Sequence, residues 1–493
     1  MQYYLRNDYF PKTKRYSYPI KSFAGIDALS DENTLPLTYC SYGYNIGFRN
    51  GALINSMGID YAKINNNTLP NVGIMGRKIV KSWIYYKYNY TQMQREDMIV
   101  ALLDDNAVYA TLLDGGAVFE QTTMSFTNGT ASALNYHLNG EDVLLIFGSE
   151  GGMYLFDGTT ADYYQDTPGF NSVCLHYDRI YATTASGHNR VYFSDDLYPT
   201  NWQISITEAG YISFPDQGGQ AQKVISFNDY VFIFRDYGIH RLTAYTDLSE
   251  YKLTKTFSTN NRIYPDTIQI CSDKIVFLAE DGLYSFDGFI AKKIYSRLFP
   301  LIDKKQYSVA CYFDYKYYLA TGLKNLDNSI VGDETEGNMK NNGIIAIDFD
   351  LNNVSILRGG DIGCFMPVNT SDYCELIVAF NNFRCSYFGM ISESGKLINT
   401  PLKKLWQSPA SNLSQLDGDK VLRRIYLTAH QPLKITIKGD ETTSRDIYSS
   451  PHIQVIPVNK SSEKISLDIT SENNKLYLNS MLLEFDIVKR RYA

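Results

Sequence analysis

The stretch VFLAEDGLYSFDG, Val276 to Gly288, has an earlier counterpart in the same chain, IFGSEGGMYLFDG, Ile146 to Gly158. Aligned without gaps, the two share Phe, Glu, Gly, Tyr, Phe, Asp and Gly, and at Val276/Ile146 and Leu283/Met153 they exchange one apolar residue for another. Each reads as strand, turn, strand, turn. A short antiparallel unit of this kind cannot bury both faces alone, so a chain that repeats it is restricted to folds that stack copies against one another.

Paired apolar runs with turn residues between them recur from about residue 97 onward, at 98–113, 143–158, 173–194, 224–243, 274–288, 311–322 with 343–357, and 375–391. Equivalent turn positions are 46 residues apart from Asn106 to Gly152, 86 (two steps of 43) from Gly152 to Gly238, and 44 from Gly238 to Gly282. The next step, Gly282 to Gly343, is 61 and contains the polar segment GLKNLDNSIVGDETEGNMKNN, which reads as an inserted surface loop. Intervals of this size match propeller blades of about 40 to 50 residues. The expected fold is therefore all-β: a β-propeller of six or seven blades. Gly152, Gly158, Gly238, Gly282 and Gly288 are expected to be structural turn residues, supplying the positive φ that tight hairpins demand.

Composition agrees with strands. The chain of 493 residues is 44% hydrophobic and carries 41 Tyr and 25 Phe, residues suited to pleated, half-buried surfaces. A net charge of −7 argues against a surface that binds nucleic acid or acidic lipid throughout, since phosphate binding needs clustered Lys and Arg. The seven cysteines are scattered, with no C-x-x-C pair, and read as reduced, buried thiols of a protein folded in a cytoplasm. The amino terminus lacks the apolar core of a secretory signal, and no run approaches the ~18 apolar residues of a membrane span. Work outside a cell would then require release by lysis.

The two ends differ from the middle. After Trp406, longer alternating strands without the repeat spacing (414–440, 465–474, 476–488) suggest a small carboxy-terminal β-sandwich over 406–493. Residues 1–75 are expected to form an extended arm and lead-in to a propeller spanning 76–405. In that arm Tyr9, Phe10, Tyr16 and Tyr18 interleave with Arg15 and other basic residues. It either runs over the protein's own surface, docks on a neighbouring subunit, or contacts nucleic acid. As a docking arm its candidate residues are Tyr9, Phe10, Arg15, Tyr16 and Tyr18.

Signs of chemistry are few. The sequence has no G-x-S-x-G, H-E-x-x-H, G-x-G-x-x-G or P-loop, and no two of the six histidines have ligand spacing. Asp348, Asp350 and Asn352 sit at the alternating offsets of a calcium loop, but Asn353 occupies the place of the sharp-turn Gly and Gly359 that of the bidentate Glu, so a solvated hairpin turn is the better reading. YFSDDLYPTNW, Tyr192 to Trp202, is similar to the Ser-x-Asp-x-Gly-x-x-Trp turn of sialidase-type propellers. Ser194 and Asp196 are in place, Tyr198 replaces the Gly, and the Trp comes one residue late. No catalytic residue, metal or cofactor is expected.

Three features together, GIDALSDENTLPLTYCSYGYNIGFRNGALINSMGI (25–59), DRIYATTASGHNRVYFSDDLYPTNW (178–202) and the LYSFDG-type hairpins, resemble virion propeller proteins of tailed bacteriophages. Among these are the packaged-DNA stabilisation, or tail nozzle and hub, proteins of short-tailed phages. The resemblance covers about residues 25 to 400. It implies a structural, non-enzymatic tail component in a homo-oligomeric ring, joined to portal-adaptor, ring or fibre proteins, with transient contact to passing DNA. It also implies synthesis in the bacterial cytoplasm before incorporation into the virion. The alternative from a different class is a carbohydrate-binding propeller whose Tyr-rich loops stack on sugars at the host surface. A glycoside hydrolase would require a convergent pair of carboxylates.

Overall fold

A computed structural model describes residues 14–64, 67–68, 76–113, 119–128, 130–184, 189–245, 248–334, 339–370, 373–381, 385–415 and 418–488. The chain divides into two compact units, one of residues 58–352 and 357–400, the other of 1–57, 353–356 and 401–493.

The larger unit is a propeller of seven antiparallel sheets. Blades 1 to 5 take four strands each in chain order, at 79–125, 131–164, 170–213, 221–258 and 269–294, and blade 6 takes Val309–Phe313, Lys316–Thr321 and Gly343–Asp348. Blade 7 draws three strands, Asp361–Asn369, Cys374–Asn381 and Ser386–Ser392, from the end of this unit. Its fourth, Gly58–Tyr61, comes from before blade 1 and runs antiparallel to Ser386–Ser392, with Ile59 opposite Ile391. The innermost strand of blade 7 packs on that of blade 1, Ile79–Tyr85, which completes the ring.

Burial explains the strand sequences. Second strands such as Lys274–Ala279 and Glu141–Gly148 are buried on both faces because a blade lies on either side, and they read as continuous apolar runs. Fourth strands such as Ala291–Ile294 lie at the rim and are mostly wet. Between blades the gaps are filled by apolar clusters. Phe147 and Phe170 close on Trp202 between blades 2 and 3, and Phe234 meets Phe277 edge-on between blades 4 and 5.

The twin stretches of sequence occupy equivalent places, in blades 2 and 5. Gly152 and Gly282 lie where the second strand turns into the third. Gly158 and Gly288, at φ +95° and +97°, turn the third into the fourth. In both Asp-Gly turns the carboxylate accepts amides two and three residues on: Asp157 from Thr159 and Thr160, Asp287 from Phe289 and Ile290. Gly238 departs from expectation. Its φ is not positive; it is glycine because a Cβ there would lie 2.7 Å from the Phe257 carbonyl oxygen on the neighbouring strand.

The 322–342 segment does fall between the second and third strands of blade 6. It is tied down at several points: Glu334 binds the guanidinium of the buried Arg358 at 2.8 Å, and the Asn341 side-chain amide donates to the Tyr307 and Ile362 carbonyls.

The second unit contains two antiparallel sheets. One has the order 15–20, 481–488, 419–427, 454–462; the other has 42–44, 404–407, 466–471, 433–438, 443–447. Alternate residues of each are buried, including Leu422, Ile425, Leu483 and Phe485 from the first and Ile435, Ile437, Leu467 and Ile469 from the second. Residues 15–57, expected within an arm, thus supply strands to the carboxy-terminal β-unit. Ile20 and Phe23 are buried there, Phe23 edge-on against Trp406 at 5.2 Å. Among the described residues no helix is long and apolar enough to cross a membrane. All seven cysteines are free thiols, and only Cys374 is exposed.

Candidate functional site

A cleft of about 490 Å³ in the propeller unit opens at the ends of the innermost strands of blades 1, 2 and 3. Blade 1 contributes Tyr86, Lys87, Tyr88 and Arg95, blade 2 contributes Asn135, Tyr136, His137 and Asp142, and blade 3 contributes Leu175, Tyr177 and Asp178. It is built rather than incidental. Instead of turning directly into its second strand, blade 1 extends a small hairpin in which Tyr88–Asn89 pairs with Gln94–Arg95. Three successive amides at its base find side-chain acceptors: Tyr86 N–H donates to Asn135 Oδ1 (3.0 Å), Lys87 N–H to Asp97 Oδ1 (3.0 Å) and Tyr88 N–H to Asp142 Oδ2 (3.0 Å). Below them the Tyr85 hydroxyl donates to the Asp142 carbonyl at 2.6 Å. Burial first, and then the surrounding carboxylates, push this phenol well above the usual tyrosine range. The wall is therefore held in place before any ligand arrives.

Its charges are largely paired. Lys87 lies 3.2 Å from Glu96, Arg95 lies 2.9 Å from Asp97, and His137 Nδ1 lies 2.9 Å from Asp142 Oδ1. The Asp178 side chain, exposed at the rim, makes no hydrogen bond or ion pair among the described residues. Aromatic surface dominates what remains: Tyr88 and Tyr90 meet edge to face at 5.0 Å, and Tyr90 lies 6.2 Å from the His137 ring. The lining contains no serine, threonine or cysteine to act as a nucleophile. What this arrangement can do is hold a ring-shaped polar ligand.

A second constellation lies toward the centre of the propeller. Lys81 of the innermost strand of blade 1 reaches Asp266, in the segment leading into blade 5, at 3.0 Å. Lys223 of blade 4 is close enough to influence the same carboxylate. Burial raises the pKa of Asp266, but the two ammonium groups outweigh it and hold the carboxyl below its ordinary range. Burial depresses Lys223 in turn. The pair joins blades that stand apart around the ring, so it bridges the propeller's own channel.

Of the expected docking residues, Tyr9 and Phe10 lie outside the described residues. Arg15, Tyr16 and Tyr18 belong to the edge strand Arg15–Ile20, paired with Met481–Val488. Arg15 pairs with Glu484 (3.4 Å) and Asp486 (3.7 Å), and Tyr16 stacks on Phe485 at 5.8 Å. In the 348–352 turn Asp348 is used locally, its Oδ1 accepting the Leu351 amide. In YFSDDLYPTNW, Ser194 Oγ accepts the Ile180 amide, Asp195 holds Asn201, and the Trp202 indole donates to the Pro199 carbonyl while its ring fills the gap between blades. That stretch is a packed turn. The cleft itself has one local signal in the sequence, the tyrosine cluster YYKYNY at 85–90; its other walls come from blades about 50 and 90 residues further on.

No family model matches the chain, and no curated protein matches it. Among solved structures it is similar to Raptor of Chaetomium thermophilum, at 9% identity and a TM-score of 0.46, over 72% of this chain and 30% of that one. It is also similar to BBS1N, solved in complex with ARL6DN. The lead-soaked crystal gives 9% identity and a TM-score of 0.42 over 65% of this chain and 95% of that one; the mercury-soaked crystal gives 8% and 0.38 over 67% and 100%. The chain thus spans under a third of the length of Raptor.

Proposed function

We propose that this chain is a structural, non-catalytic component of a bacteriophage tail, present in several copies and joined to other tail proteins. The observation that carries this reading is the surface of the β-unit formed from both chain ends. Tyr448, Ile453 and Val455 are 78%, 71% and 51% exposed within eight residues, and Val455 starts into an edge strand, Gln454–Ser462. Large exposed apolar residues grouped beside an open strand edge are what a subunit interface needs. The opposite edge of the same sheet is Arg15–Ile20, the described end of the aromatic, basic segment. The resemblance to phage tail propellers supplies the setting.

The bridged channel refines the reading. With Lys81 paired to Asp266 across the propeller, packaged DNA would pass through a ring of copies and not through any single propeller. Sedimentation of the purified chain tests the assembly claim. Self-association that rises with concentration is expected, and Ile453→Asp should shift it to monomer with an unchanged β-sheet circular dichroism spectrum. A chain that stays monomeric at every concentration, or a variant that associates as the parent does, would count against this interface.

A further inference from the structure

We propose that the cleft at the ends of blades 1 to 3 binds a neutral saccharide. This goes beyond the tail assignment and stands without it, because it rests on residues of the propeller unit alone.

The first support is the turn that presents Tyr177. The hairpins from first to second strand place left-handed residues at their tips: Asn139 and Gly140 in blade 2, Asn228 and Asp229 in blade 4, and Ser272 in blade 5. Asn, Asp and Gly are the residues that tolerate this backbone. Blade 3 instead places Tyr177 there, at φ +51°, the residue 49% exposed and its ring over the His176 imidazole at 4.3 Å and against the cleft. Blade 6 also accepts a left-handed tyrosine, Tyr315, at the second tip position and away from this cleft. A bulky aromatic kept in a strained conformation and left half in water gains nothing for the fold, and such strain is characteristic of binding positions.

The second support is the match between lining and ligand. Tyr86, Tyr88, Tyr136 and Tyr177 offer flat apolar faces for the C–H surface of a pyranose ring, while phenol hydroxyls and the Asp178 carboxylate offer partners to sugar hydroxyls, which both donate and accept. Charge decides against anionic ligands. Lys87 and Arg95 are already paired with Glu96 and Asp97, and Asp142 with His137, while the exposed Asp178 carboxylate faces the cleft, so a phosphate or uronate would meet repulsion with the lining cations already engaged. The fixed amides of residues 86–88 mean that little ordering is needed on binding.

The test is calorimetric titration of the full chain with neutral gluco-, manno- and galacto-oligosaccharides of three to six rings, alongside an anionic uronide of similar length. Binding of at least one neutral series at millimolar concentration or below is expected, with the uronide at least tenfold weaker. Tyr177→Asn should weaken binding at least tenfold while raising the thermal midpoint, because the strained turn is relieved. Tyr88→Ala should weaken binding with the fold intact. The proposal is overturned if no neutral series binds, if the uronide binds as well, or if Tyr177→Asn lowers the midpoint and leaves affinity unchanged, which is the signature of a packing residue. None of these outcomes bears on whether the chain assembles through Ile453.

Discussion

At the residue scale, glycines that look alike in sequence serve different needs. Gly282 has φ +153° and open space around its missing Cβ, the nearest atom being Lys293 Cδ at 3.7 Å, so only backbone preference is lost on substitution. Gly238 has an ordinary φ but lies against a backbone carbonyl that cannot move without its strand. Gly238→Ala is expected to cost about 1 to 3 kcal/mol through overpacking, and Gly282→Ala about 1 kcal/mol through φ alone; urea unfolding gives the order, and a larger loss at Gly282 would contradict it. A charged cluster in blade 4 sets a pH dependence. Buried Arg235 pairs with Asp216, which Lys255 also approaches at 3.3 Å, and this holds the Asp216 carboxyl down to about 2, chiefly through the hydrogen bond from Arg235. Next to it, burial and then the Arg235 charge lower the His240 imidazole to about 4, and its Nδ1 is buried without a partner. A histidine depressed in the fold contributes stability that is whole above its unfolded pKa of about 6.5 and is lost as pH falls towards 4. His240→Gln should therefore shrink the drop in urea midpoint between about pH 7.5 and about pH 5. An equal drop in parent and variant would show that His240 does not titrate with unfolding.

At the scale of elements, what was legible in the sequence was local, and what was not was pairing over distance. The hairpins at 98–113 through 375–391 each carry their own turn, so the repeat could be read directly, with six or seven blades expected, together with the insertion in blade 6. The strand Gly58–Tyr61 gives no such signal, because its partner Ser386–Ser392 lies over 300 residues away. The same holds for Arg15–Ile20 against Met481–Val488, which is why residues 15–57 read as an arm while the fold uses them as strands. The cleft was hidden for a related reason: three blades each lend a few side chains, and none of the three groups has a motif of its own. Closure of blade 7 by Gly58–Tyr61 makes Ile59, fully buried, a joint of the whole ring. Ile59→Ala is expected to lose about 2 to 5 kcal/mol and, because the ring closes there, to loosen blades 7 and 1 before the rest. Hydrogen exchange would show this as early loss of protection at 79–125 and 361–392. Uniform loss across all blades would mean that closure is not local to this joint.

For the whole molecule, a propeller and a β-unit made from both chain ends are proposed to act through their surfaces. The propeller channel is bridged by an ion pair, the β-unit ends in open strand edges with exposed apolar residues, and the overall charge of −7 does not favour wrapping nucleic acid. These features suit a part built into a larger particle, which is the central claim. The most direct measurement is to band a lysate of the source culture on a density gradient and quantify this chain by peptide mass spectrometry across the fractions. Travel with DNA-containing particles at several copies per particle is the expected result. If the chain remains with free soluble protein while particle proteins band, the tail assignment is contradicted.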